Sequence, residues 1–137
     1  SEGARALLRD AGADGGQAAA AIGRRLEAGQ RIPGFGHRVY EQVDPRVAPL
    51  LDRLGEAGDT PASVDPVLRI VADRALPFPN VDFALAAMGE AYDMIDGATE
   101  SIFATARIVG EAGKLAAVID QLKALGAWEP TPTRSRP

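Results

Sequence analysis

The only histidine among 137 residues, His37, follows the run Ile32-Pro33-Gly34-Phe35-Gly36 and precedes Arg38-Val39-Tyr40. Arg46 stands nine positions further on (46 − 37 = 9), directly after Asp44-Pro45. An imidazole can give or take a proton, and a guanidinium meets a carboxylate with two parallel hydrogen bonds. Together these are the working parts of a site for a small acid. Gly34 and Gly36 permit backbone angles closed to other residues, which would leave main-chain amides uncovered for a ligand.

Two further side chains extend that chemistry. Asp82 lies two residues past Asn80, in the first turn of an expected helix, where the helix terminus could hold its carboxylate ionised as a general base. Arg107 sits among Ile102, Phe103, Ala104, Ala106, Ile108 and Val109. A guanidinium buried in such a stretch needs an anionic partner, and a bound carboxylate would supply one. Each residue also has a plainer reading. A lone histidine is often structural, an acid in a first turn simply complements the helix dipole, and either arginine could pair with an internal acid or stay in water. The glycines beside His37, and the electrostatic mismatch of Arg46 at a helix N-terminus, tilt the balance toward a ligand.

These residues must be carried by helices, because nearly every periodic segment has helical spacing. Residues 2–10 carry Ala4, Leu7 and Leu8 on one side and stop near Gly12. Residues 16–28 place Ala18, Ile22 and Leu26 four apart, with Gly29 as a left-handed stop. Asp44-Pro45 reads as a cap followed by proline in the first helical position, opening a stripe of Val47, Leu50, Leu51 and Leu54 that Gly55 and Gly58 end. Asp65-Pro66 repeats that start before Val67, Ile70 and Val71. After Pro77-Phe78-Pro79, Asn80 caps a helix running from Val81 to about Ile95, and Asp96-Gly97 turns the chain. Residues 102–109 are apolar nearly all round and should be buried on several sides. The stripe continues through Leu115, Val118, Ile119 and Leu122 to Gly126, and a proline-bearing tail from Glu129 reads as extended. No alternating strand pattern and no internal repeat emerges, so the expected fold class is all-α.

Composition narrows the function. An apolar fraction of 46% and a charged fraction of 25% are those of an ordinary globular chain. A net charge of −4 argues against a nucleic-acid binder. The absence of cysteine excludes disulfides, thiolate metal sites and cysteine nucleophiles, and a single histidine disfavours a His-based metal centre. No apolar run approaches the ~20 residues that span a bilayer, and no signal peptide is evident. The expectation is a protein without metal, membrane or nucleic acid.

Three motifs in register across residues 32 to 110 resemble the citrate synthase family. Pro33-Gly34-Phe35-Gly36-His37-Arg38-Val39-Tyr40 with Asp44-Pro45-Arg46 is similar to its histidine loop and following arginine. Pro79-Asn80-Val81-Asp82-Phe83 is similar to the segment with its catalytic aspartate, and Arg107-Ile108-Val109-Gly110 to the arginine of its late helix. The resemblance implies a Claisen-type condensation of acetyl-CoA, or another acyl-CoA, with oxaloacetate, or the reverse cleavage of citryl-CoA, by an acyltransferase of the tricarboxylic acid cycle. In that reading Asp82 removes the thioester α-proton, and His37 binds the keto oxygen and supplies a proton. Arg46 and Arg107 hold carboxylates, and the backbone of Ile32, Pro33, Gly34, Phe35 and Gly36 packs against the coenzyme A adenine. No cofactor is permanently bound, since the coenzyme A thioester is a substrate.

The resemblance also implies an organisation. Residues 1–96 correspond to the family's small domain, 98–126 to the helix returning to its large domain, and 127–137 to a tail. The enolate-stabilising histidine of the family would lie just before Ser1. Glu111 and Lys114 replace the tryptophan and histidine that many bacterial relatives carry there, and neither Arg134 nor Arg136 matches the family's late arginine. The implied state is a cytoplasmic homodimer, or a chain paired with a companion bearing the large domain and inactive alone. Two other functions fit: a non-catalytic relic that binds CoA or a di-acid or regulates a relative, and a helical adaptor with no ligand.

Overall fold

The computed structural model describes residues 2–110 and 124–126. Among them are α1 (Glu2–Ala11), α2 (Gly15–Glu27), α3 (Val47–Ala57), α4 (Val64–Asp73), α5 (Val81–Ala91) and α6 (Ala98–Gly110), with no β-strand. The all-α expectation holds. The stripe of Leu115 to Leu122 and the tail lie outside the described residues. No described helix is long and apolar enough to cross a membrane. The chain divides into two compact units, Ser1–Glu100 and Ser101–Pro137, and α6 begins in the first and runs into the second.

In the first unit α1 packs against α2, α4 and α5, while α5 packs also against α3 and α2 against α4. Val81, Phe83, Ala84, Leu85, Ala86, Ala87 and Gly89 are all buried, so α5 is covered nearly all round. Its small residues let neighbouring helices approach closely. Ala4, Leu7, Leu8 and Ala11 of α1 form the facing stripe at helical spacing. Burying a side chain such as Leu7, Leu8 or Phe83 contributes about 1.5–3 kcal/mol, and this packing anchors the helix that carries Asp82.

One buried side chain in this interface is charged. Arg5 is 1% exposed, and its Nε donates to Glu90 Oε1 at 2.8 Å. Arg9 reaches the same oxygen at 2.9 Å. The Glu90 hydrogen bond outweighs burial and raises the Arg5 pKa, keeping the guanidinium charged. Gly89 makes room for it, since a Cβ there would fall 3.1 Å from Arg5 Cδ and Nε and 2.9 Å from Thr99 Cγ2.

Several helix boundaries differ from the sequence reading. α3 starts at Val47, because Pro45 and Arg46 form a turn in which the Val47 N–H donates to Asp44 O at 3.1 Å. Gly55 lies inside α3, and Gly58, with φ +73°, ends it. α4 starts at Val64, so Asp65 and Pro66 occupy its first turn, where an N–H has no helical partner to lose. α5 ends at Ala91, four residues before Ile95, because Asp93 turns left-handed at φ +46° and the Met94 N–H closes onto Gly89 O at 2.9 Å. Part of the stretch expected to be buried is open in this chain. Ile102, Ala104, Thr105 and Arg107 are exposed in this chain, and Phe103 is half-buried.

Candidate functional site

The glycine-bearing bend is docked onto the segment that leads into α5. Gly36 N–H donates to Phe78 O at 2.7 Å, Asn80 N–H to Gly34 O at 2.9 Å, and Asn80 Nδ2 to Gly36 O at 2.8 Å. Phe35 and Pro79 form an isolated antiparallel bridge, and the Phe35 ring lies 5.0 Å from that of Phe83. Gly34 and Gly36 have φ of +87° and +82°, as expected for positions only glycine fills readily. Packing within the chain also calls for them. The Gly36 amide is already bonded within the chain, and Gly34 is bare because a Cβ would fall 3.0 Å from Phe83 Cβ and 3.2 Å from Ala4 Cβ. The glycines let the bend seat on the core. Gly34→Ala should therefore cost about 2 kcal/mol, from left-handed strain plus overpacking, read as a lowered urea midpoint with helicity otherwise kept.

That docking delivers His37 to the surface beside Arg46. The Val39 and Tyr40 N–H groups donate to His37 Nδ1 at 3.0 and 3.3 Å. Nδ1 is thereby an acceptor, which puts the ring proton of a neutral imidazole on Nε2. Nε2 lies 3.3 Å from Arg46 Nη2, itself a donor. With the proton on Nε2 neither nitrogen can accept from the other, so an oxygen set against both would be met by two donors.

Asp44 holds Arg46 in that attitude. This carboxylate is fully buried. Its Oδ1 accepts from Arg46 N at 3.1 Å and Nε at 2.9 Å, while Oδ2 accepts from Arg46 Nη2 at 2.8 Å and from Val81 N–H at 2.9 Å. The carboxylate thus grips one edge of the guanidinium and ties it to the first residue of α5. On the other edge Nη1 is left for a ligand, while the second hydrogen of Nη2 is directed at His37 Nε2. Burial alone would push the Asp44 carboxyl up, but the Arg46 and Val81 hydrogen bonds outweigh it and hold the pKa below its ordinary value of 3.8. Arg46 is raised in turn, first by Asp44 and to a smaller degree by Tyr40 and Asp82.

Asp82 is half-buried at the second position of α5. The helix start is fixed by Asn80, whose Oδ1 accepts from Asp82 N–H at 2.9 Å and Phe83 N–H at 3.4 Å. Asp82 therefore sits one residue from the amide that Asp44 binds, and its carboxylate has no hydrogen-bond partner among the described residues. The first unit brings His37, Arg46 and Asp82 into one neighbourhood. Arg107 belongs to the second unit, on α6. There it is exposed, with its guanidinium 5.9 Å over the Phe103 ring. The expected burial of its charge is corrected. In this chain solvent and an aromatic face meet it.

Residues 1–128 match the profile of the family described as "Citrate synthase, C-terminal domain". The chain belongs to the citrate synthase family. A curated relative, "Citrate synthase 2" of Bacillus subtilis (strain 168), is 34% identical over 107 residues, which cover 73% of this chain and 28% of that relative. The chain thus spans well under a third of the length of the curated citrate synthase it matches.

For a citrate synthase family member, the residue the sequence reading undervalued is Asp44, taken there only as a helix cap. Its signal was the Asp-Pro-Arg spacing, which allows an aspartate to bond the backbone two residues on and to fold back onto the same arginine. Tyr40 and the amide nitrogen of Asn80 were likewise named without a role. Chemically, the cluster offers two convergent N–H donors, an open guanidinium edge and a nearby helix-borne carboxylate. That is a set able to fix an oxo-acid and to place a base beside it.

Proposed function

We propose that this chain is the C-terminal portion of a citrate synthase-like enzyme that joins an acyl-CoA to oxaloacetate or a similar oxo-acid. Asp82 takes the α-proton of the thioester. His37 donates through Nε2–H to the keto oxygen and gives up a proton as the carbon–carbon bond forms. Arg46 holds a carboxylate end-on, Arg107 holds another in the assembled protein, and the bend of Ile32 to Gly36 meets the coenzyme A adenine. Residues 98–126 lead to a large domain that supplies the enolate-stabilising histidine. The observation that carries this reading is the 3.3 Å approach of His37 Nε2 to Arg46 Nη2, which places two nitrogens where one substrate oxygen could meet both. Abstracting a weakly acidic proton requires base and oxygen-stabilising donors to act at once, and this cluster offers both.

A binding relic is the second reading, favoured by Glu111, Lys114 and the missing late arginine. Calorimetric titration of the complete enzyme with oxaloacetate tests the shared part of both. Arg46→Lys keeps the charge but loses the two-edged fork, and should weaken binding at least about tenfold. Equal affinity in wild type and Arg46→Lys would remove Arg46 from the site.

A further inference from the structure

Two donors held 3.3 Å apart have no attraction for one another, so something else must keep them together before a ligand arrives. Asp44 grips the guanidinium along one edge but makes no hydrogen bond to the imidazole. The two N–H groups on Nδ1 fix the tautomer of His37 but not the tilt of its ring. One side chain touches both. The Tyr40 ring lies 4.6 Å from the His37 ring at an interplanar angle of 40°, and the Arg46 guanidinium carbon stands 5.5 Å over the same ring. Tyr40 also contributes one of the N–H groups on His37 Nδ1.

We propose that Tyr40 is a positioning residue whose aromatic face holds His37 and Arg46 donor to donor, preorganising the oxygen site. The proposal rests on the oxo-acid reading above. An aromatic face attracts a guanidinium through its quadrupole and accepts a tilted imidazole against it, so one ring satisfies both neighbours. Without it each side chain regains its rotamers, and the ligand must order them on binding. The Tyr40 hydroxyl has no partner among the described residues, so the ring and not the oxygen performs the role.

The test compares Tyr40→Phe with Tyr40→Leu. In the full chain, nitrogen-15 relaxation of the His37 ring reports how far its orientation is fixed. In the complete enzyme, calorimetry reports oxaloacetate affinity. Tyr40→Phe should match wild type in both. Tyr40→Leu should give a more mobile His37 ring and roughly three- to tenfold weaker oxaloacetate binding, with helicity unchanged. Unchanged ring relaxation and affinity in Tyr40→Leu would overturn the proposal, as would an equal loss in Tyr40→Phe. If wild type fails to bind oxaloacetate while Tyr40→Leu still alters the His37 ring, the positioning role stands and the oxo-acid reading alone falls.

Discussion

Replacing Asp44 by alanine is expected to lower the stability of the first unit by about 3 kcal/mol. The change removes the acceptor of the buried Val81 N–H and both arms of the Arg46 pair at once. Arg46 is 38% exposed and can turn to water, so the loss stays below that of a fully buried pair. Urea denaturation measures it, and a loss under about 1 kcal/mol would show that the carboxylate is not the tie inferred from its hydrogen bonds. The same tie has a pH signature. Because the folded pKa lies below 3.8, its contribution is complete above that value and fades as pH falls through the lower folded value. Wild type should therefore lose stability on acidification more steeply than Asp44→Ala. Parallel acid profiles would contradict this.

In the complete enzyme, Asp82→Asn is expected to slow turnover by roughly two to four orders of magnitude, the usual contribution of a positioned general base. Asparagine keeps the size of the side chain and leaves the Asn80 cap intact, so the start of α5 should be unchanged. Oxaloacetate affinity should hold to within about twofold, because the base acts on the thioester and not on the oxo-acid. The informative result is that split between a collapsed kcat and a preserved affinity. A turnover within about tenfold of wild type would remove Asp82 from the chemistry.

The helices and their buried faces were legible because apolar spacing depends on little beyond the local sequence. Ala4, Leu7 and Leu8, and Val47 with Leu54, lie buried on the stripes their spacing marks. Boundaries were less legible where a residue broke its local rule. Asp93 turns left-handed without being glycine, closing α5 four residues early, and Pro66 sits inside the first turn of α4. Leu26 lies on its stripe yet is 38% exposed.

At the site, the side-chain types were readable and their mutual roles were not. His37, Arg46 and Asp82 stood out by type and spacing. That Asp44 would grip Arg46 and the Val81 amide together depends on a contact 37 residues apart along the chain, which no local pattern encodes. The same holds for Gly34, whose missing Cβ answers to Phe83 and Ala4. The burial expected around Arg107 is not seen in this chain. A local apolar stretch was read as a buried one, although burial depends on what covers the helix.

The measurement that bears most directly on the whole account is release of free thiol from acetyl-CoA by the complete wild-type enzyme, with and without oxaloacetate. The account predicts thiol release that requires both substrates and yields a product with a new carbon–carbon bond. A protein that binds oxaloacetate at His37 and Arg46 yet releases no thiol with any oxo-acid would contradict it, and would leave the site a binding relic.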